Sequence, residues 1–380
     1  MKRKKLLIIS HTEHYTDEKG IVKGWGATVN EINYLADFWE EVVHIGCLYP
    51  TTVPPSALPY IQSNIRFVPI PPYGGKTIMD KLLILVKIPK IMMQVMRNVG
   101  GASEVQLRLP TSMGLFLLPL FSFIIPRTFT LWVKYAGNWN QKNPPLSYRF
   151  QRGWLKKNTA RCKVTLNGFW NDQPEHCLSF ENPCLTQEDL SKGKVIATTK
   201  TFQAPYVFAF VGRLDEAKGV STIIQALKKI PITKIGKVHF IGNGPELQHY
   251  QSETEFLKEK VIFYGFQNSE NVHALLAESH FFVLPSKAEG FPKVVAEAAC
   301  YGVIPIVSDV GSIPHYINQT NGFVWKREGE ITFSQIVNNA VTTAPEKLWE
   351  LSQQVQTMAT LFTFENYKKK LEQLVLDKKK

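Results

Sequence analysis

Residues 286–307 read "SKAEGFPKVVAEAACYGVIPIV", with Glu289 and Glu297 on either side of a Gly-Phe-Pro turn. The preceding "HFFVLPS" is short and apolar, as a buried strand would be, and "AEGF" reads as a loop. "PKVVAEAACY" reads as a helix with Pro292 at its first position and Gly302 just past its end. That order places a helix N-terminus beyond the C-terminal edge of a sheet, where open α/β folds collect ligands. The free amides of Phe291, Lys293 and Val294 would donate to an anion there, and Gly290 and Pro292 in the same turn are further donor-binding candidates. Glu289 falls at the mouth of such a site. Glu297, about one and a half turns along the helix, is out of reach of the same anion and suits the hydroxyls of a sugar.

Working outward, the chain from residue 206 alternates short apolar runs with amphipathic ones: "YVFAFVG", "VSTIIQALKKI", "KVHFIG", "ENVHALLAES", "HFFVLPS". This is the pattern of a parallel sheet wrapped by crossover helices. The chain opens the same way, with the strand "KKLLIIS", a glycine-containing loop, the helix "ATVNEINYLADFWEE" and the strand "VVHIG". Two α/β units are expected, joined by a linker at residues 180–205, where Pro, Gly and polar residues concentrate. In "FVGRLDEAKG", Arg213 and Lys218 flank a strand-to-helix turn and would clamp a diphosphate without a metal. Gly242 and Gly244 in "FIGNG", and Gly24 and Gly26 in "KGWG", are further places where backbone can approach a ligand. None of these completes a dinucleotide or P-loop fingerprint. No D-x-D and no metal-spaced cluster occurs, so no metal is expected.

Composition narrows the class. The chain has 380 residues and a net charge of +12. Residues 1–185 hold 22 Lys and Arg against 12 Asp and Glu, whereas residues 186–380 hold 22 against 20. The basic excess favours an anionic partner, and without a nucleic-acid motif this is a phosphorylated substrate or an anionic membrane surface. Five cysteines with no C-x-x-C pair suggest reduced thiols. With no apolar run long enough to span a bilayer and no cleavable leader, a cytoplasmic protein is expected, with peripheral contact at the inner membrane face. "KTIMDKLLILVKIPKIMMQVMRNVG", carrying Lys76, Lys81, Lys87, Lys90 and Arg97, reads either as a basic helix lying on a membrane or as a solvated helical hairpin broken at Pro89. "MGLFLLPLFSFIIP" reads as a buried element.

The succession "FVGRL…KG", "FIGNGPE", "VIFYGF", "FVLPSKAEGFPKVVAEAACYGVIPIVSD" and "GSIP…NGFVW" resembles the C-terminal domain of the retaining glycosyltransferases of group 1, also called family 4, with its E-x7-E at Glu289 and Glu297. The likeness is close over residues 205–325 and looser elsewhere. It implies the α/β GT-B fold: two Rossmann-like parallel-sheet domains facing across a cleft. The N-terminal acceptor-side domain would take residues 1–185, with the C-terminal helix, about 364–380, packing back on it. The donor domain would take residues 186–363. The resemblance further implies a nucleotide-sugar donor, either a UDP-sugar or a GDP-sugar, and no cofactor. Arg213 and Lys218 would hold its diphosphate, Glu297 its ribose and Glu289 its sugar near the anomeric carbon. The amides of Phe291 to Val294 would complete the phosphate site, and Gly24 and Gly26 would approach from the other domain.

The acceptor side departs from the family. Many relatives carry a histidine after the fourth N-terminal strand, where this chain has Arg108 in "EVQLRLPTSMG"; His11 and His14 are alternative acceptor contacts, and His315 stands where relatives commonly have glutamate. The expected activity is transfer of a sugar to a glycan or a polyprenyl-diphosphate-linked glycan in polysaccharide assembly. The alternatives are a catalytically silent donor-binding partner subunit and a nucleotide-sugar epimerase of the same fold. A nicotinamide dehydrogenase would require a fingerprint that "IISHTEHYTDEKGIVKGWG" does not supply.

Overall fold

The computed structural model describes residues 3–74, 78–126, 128–141 and 143–376, and of residues 78–83 the backbone only. It divides into two units, the first comprising Met1–Phe180 with Lys368–Lys380, the second Glu181–Tyr367.

In unit 1 the chain runs through β1 (Arg3–Thr16), β2 (Val22–Trp25), α1 (Gly26–Leu35), β3 (Trp39–Leu48), β4 (Ala57–Pro59), β5 (Ile65–Ile70) and α2 (Ile78–Val99). It continues through β6 (Glu104–Leu109), α3 (Gly114–Pro119), β7 (Thr130–Tyr135), α4 (Leu146–Lys156), β8 (Lys163–Leu166) and β9 (Cys177–Ser179). The parallel part of the sheet has the order β5-β3-β1-β6-β7-β8-β9, and β2 and β4 extend it antiparallel from the end of β1. Leu6 to Ile9 of β1 are buried on both faces, which is why they read as an unbroken apolar run.

Four expectations change here. Gly24 lies not in a loop but in β2, opposite His14. The first helix ends at Leu35, short of "FWEE", because Trp39 is buried at the start of β3 with its indole N–H on Glu104 Oε2 at 2.7 Å. There is no hairpin at Pro89: α2 runs through it as one helix, held by Ile84, Ile91 and Val95 packing into the core, at the loss of one intrahelical hydrogen bond. Lys76 lies outside the described residues, as does the side chain of Lys81. "MGLFLLPLFSFIIP" forms α3 and a π-helical turn at Leu120–Ile124; Leu117, Leu118 and Phe121 are buried, but Phe123 and Ile124 are exposed.

Unit 2 runs through α5 (Gln187–Thr199), β10 (Tyr206–Val211), α6 (Val220–Leu227), β11 (Ile235–Ile241), α7 (Leu247–Glu253), β12 (Val261–Gly265), α8 (Ser269–Glu278) and β13 (Phe281–Leu284). Then come α9 (Lys293–Cys300), β14 (Ile304–Ser308), β15 (Phe323–Trp325), α10 (Phe333–Thr342), α11 (Pro345–Ala359) and α12 (Phe364–Leu371), whose residues from Lys368 on belong to unit 1. Its six strands are all parallel, in the order β12-β11-β10-β13-β14-β15. Half of the stretch read as a linker is α5. Thr186 and Asp189 form a reciprocal capping box at its start, and Leu190 and Ala197 are buried. All five cysteines are free thiols. Among the described residues no helix is long and apolar enough to cross a membrane.

Candidate functional site

The C-terminal ends of β10, β11, β13 and β14 carry loops that lock into one wall. An added Cβ at Gly242 would collide with the Gly212 carbonyl oxygen, and one at Gly244 with that of Leu214. The Gly212 amide donates to Ile241 O at 2.9 Å and the Leu214 amide to Asn243 O at 3.0 Å. Gly242 and Gly244 therefore have a local reason to be glycine: the loop after β11 lies backbone to backbone on the loop that carries Arg213. Gly219, with φ +80° at the start of α6, packs 2.6 Å (as an added Cβ) from Pro285 O, and the Lys287 amide donates to Ala217 O at 2.9 Å. The fourth loop braces the third: Ser312 donates to Gly290 O through its amide at 2.9 Å and its hydroxyl at 3.0 Å.

This frame brings Lys218 and Glu289 together, Nζ to Oε1 at 2.6 Å, with 31% of the lysine side chain and 10% of the glutamate exposed. Arg213 extends outward, two-thirds exposed, its Nε 3.0 Å from Asp215 Oδ2. Asp215 Oδ1 in turn accepts from the Lys218 amide at 2.9 Å, so one carboxylate steadies both cation-bearing positions. Asp215 was not singled out in the sequence, although an acid two residues after Arg213 is a turn-former's position.

Pro292 is the N-cap of α9 rather than its first residue, and Gly302 follows the helix end with φ +65°. Phe291 is buried, stacked on Phe362 at 4.5 Å and edge-on to Tyr316 at 4.9 Å, which fixes the turn. Among the described residues the amides of Phe291, Lys293 and Val294 donate to no protein acceptor. Such donors at a helix start are suited to an anion. Glu297 is half-buried on α9 and makes no protein hydrogen bond among the described residues. Burial raises its pKa, and His273 and Lys293 draw it back only in part. A desolvated, unpartnered carboxylate is a strong acceptor for hydroxyl groups.

In unit 1 the sequence-derived candidates are placed differently. His11 is exposed on β1. His14 is fully buried: its Nδ1–H donates to Thr12 O at 2.9 Å, which leaves Nε2 to accept from the Tyr60 hydroxyl at 2.8 Å. The same Tyr60 oxygen lies 2.5 Å from His44 Nδ1, and His44 Nε2 lies 2.7 Å from Ser10 Oγ. Gly24 and Gly46 are glycine where a Cβ would strike the His14 ring, and at Gly26 it would strike Ser56 O. Arg108 donates to Gln106 at 2.8 Å and to Glu31 at 2.9 Å, while Lys134 also donates to Glu31, at 2.6 and 2.7 Å. Glu31 and Lys134 are nearly inaccessible and were missed; an isolated glutamate in an amphipathic helix gives no signal of a buried charge. Among the described residues no group of three or more His, Cys, Asp or Glu is placed to hold a metal.

Residues 192–355 match the family model described as Glycosyl transferases group 1. The chain is 31% identical over 150 residues to the lipopolysaccharide 1,6-galactosyltransferase of Salmonella typhimurium, covering 36% of this chain and 39% of that protein. Among solved structures it resembles sucrose-phosphate synthase from Thermosynechococcus elongatus, with TM-score 0.69 and 16% identity over 98% of both chains. It also resembles HepE from Anabaena in complex with UDP and glucose, with TM-score 0.62 and 15% identity over 97% of this chain and 98% of that one. These likenesses show the GT-B fold. The chain spans about a third or less of the length of the first curated relatives it matches.

Proposed function

We propose that this chain, whose residues 192–355 carry the group 1 glycosyl transferase region, transfers a sugar from a nucleoside diphosphate sugar to a glycan or lipid-linked glycan, with retention at the anomeric carbon. The observation that carries the reading is the juxtaposition in unit 2 of the Lys218–Glu289 pair with unpartnered α9 amides and an unpartnered Glu297. Each of the charged groups and open amides there matches one part of such a donor. The amides and the two cations suit the diphosphate, Glu297 the ribose hydroxyls and Glu289 the sugar. HepE, solved with UDP, supports a UDP-linked donor, and the Salmonella galactosyltransferase supports a role in polysaccharide assembly.

In this mechanism the bond between the anomeric carbon and the β-phosphate oxygen breaks, and its electron pair leaves with the diphosphate. The acceptor hydroxyl oxygen bonds to the same face of the sugar, and its proton passes to the departing phosphate oxygen. Arg213, Lys218 and the α9 amides stabilise the charge that develops there, which is the part a divalent metal plays elsewhere. Glu289 holds the Lys218 ammonium in place before the donor arrives. The reaction is assigned to the cytoplasm, where nucleotide sugars are made.

A thermal-shift panel of UDP, GDP, ADP and NAD on the wild type and Glu297→Ala tests the reading. One nucleoside diphosphate should stabilise the wild type by about 2–3 kcal/mol at roughly a hundredfold its Kd, and the substitution should abolish this. No stabilisation by any of them removes the donor site. Donor binding without transfer to any glycan favours a silent partner subunit, and an epimerised donor in the absence of acceptor favours an epimerase.

A further inference from the structure

We propose that unit 1 docks on an anionic bilayer surface through the outer face of α4 and the neighbouring π-helical turn at Leu120–Ile124. Leu146, Phe150 and Trp154 recur at a spacing of four along α4 and so form one stripe. Leu146 is 82% exposed, Phe123 71% and Ile124 67%. These side chains form one patch, since the Trp154 ring lies 5.2 Å from Phe150 and 5.7 Å from Phe123, and its indole N–H donates to Ser122 Oγ at 3.2 Å. Aromatic and aliphatic tips gathered this way, on a helix that buries Leu155 on its other side, fit the headgroup boundary of a bilayer.

The charge around the patch selects the kind of bilayer. Residues 105–171 contain ten Lys and Arg and no Asp or Glu. Of the cations on α4 and just beyond it, Arg152 is held by the carbonyls of Trp139 and Gln141, and Lys156 by Asp172. Arg149 and Lys157 make no ion pair among the described residues and line the same depression as Leu146, Phe150 and Trp154. An apolar stripe bordered by the open cations Arg149 and Lys157 complements anionic headgroups. The basic helix singled out in the sequence, α2, packs Ile91 and Val95 into the core cluster that also holds Phe121 and Leu155. It turns Leu85, Val86, Met93 and Met96 outward, but it carries no aromatic side chain.

The test is co-sedimentation of the full chain with phosphatidylcholine vesicles, with and without phosphatidylglycerol. The wild type should bind the anionic vesicles only, and less as salt rises. Leu146→Gln with Phe150→Gln, and separately Arg149→Glu with Lys157→Glu, should each lower partitioning about tenfold or more. Met93→Gln with Met96→Gln should change it less. All three variants should keep the wild-type Tm and the nucleotide-induced shift. Absence of binding to anionic vesicles, unchanged binding in both α4 variants, or loss of binding in the α2 variant alone would each overturn the proposal. So would a dimer that the Leu146/Phe150 variant dissociates, which would make this face a contact between copies. Vesicle binding with no nucleotide shift would remove the donor assignment and leave this one standing.

Discussion

At the ends of its strands unit 2 keeps Lys218, Glu289 and Glu297 partly accessible, with three helix-start amides open, whereas unit 1 turns its polar groups on one another. Glu31 closes between Arg108 and Lys134, and Tyr60 joins the rings of His14 and His44. The scaffolds are alike, both built on parallel strands with the polar groups near their C-terminal ends. The difference is in satisfaction: unit 2 leaves hydrogen-bonding capacity over for a ligand, while unit 1 spends its own on internal structure. A charge in the first setting should therefore matter to turnover, and one in the second to stability.

Glu31→Gln probes the second setting and should have the largest effect. It leaves the buried Lys134 and Arg108 cations without their shared carboxylate, so a loss of about 3–5 kcal/mol in denaturant unfolding is expected. A loss below about 1 kcal/mol would mean that other groups balance these cations and that unit 1 is not self-satisfied through Glu31.

Lys218→Ala probes the first setting. Turnover of the donor identified by nucleotide binding should fall about 10²–10³-fold, or roughly 3–4 kcal/mol of transition-state stabilisation. The Lys218–Glu289 pair lies at the mouth of the site, 31% of the lysine side chain exposed, and should contribute no more than about 1 kcal/mol to folding, so the Tm should hardly move. Unchanged turnover, or a collapse of stability in its place, would erase the contrast between the units.

The same contrast explains what could be read in the sequence. The strand-turn-helix around Glu289 was legible because Pro292 and Gly302 bracket the helix, Pro292 one position earlier than expected and Gly302 as a left-handed stop, whereas the burial of Phe291 against Phe362 was not. Arg213 and Lys218 were legible as flanks of a turn, but their link through Asp215 was not, since it depends on side-chain rotamers. The linker expected at 180–205 holds the boundary between the units at Phe180/Glu181, but half of it is helix, which the capping pattern Thr186-x-x-Asp189 signals and composition does not. In unit 1 the signals pointed to the right positions for a different reason. Gly24 is glycine to admit the His14 ring from the neighbouring strand, a contact between residues ten apart that no local pattern encodes. Glu31 and Lys134 are 103 positions apart and meet only because β7 is placed two strands from β1.

The histidine pair gives the finest test of self-satisfaction. In the folded chain both ring nitrogens of His14 are engaged, and burial brings its pKa down from 6.5 to about 4; burial, then the neighbouring His14 and Arg108, lower that of His44 in the same direction. The unfolded chain takes up protons near 6.5, so between that value and about 4 it binds more protons than the folded chain, and stability falls as pH falls through the window. His14 alone should remove about 3 kcal/mol across it. His280 of unit 2, also lowered to about 4, adds to the same slope, so denaturation at pH 7 and pH 5 must be joined to an NMR titration of the individual imidazoles. A His14 ring that titrates near 6.5 in the folded chain would mean that the ring is open to water and free of Tyr60. Unit 1 would then hold an accessible base beside β2, and His14 would return as a candidate for acceptor contact.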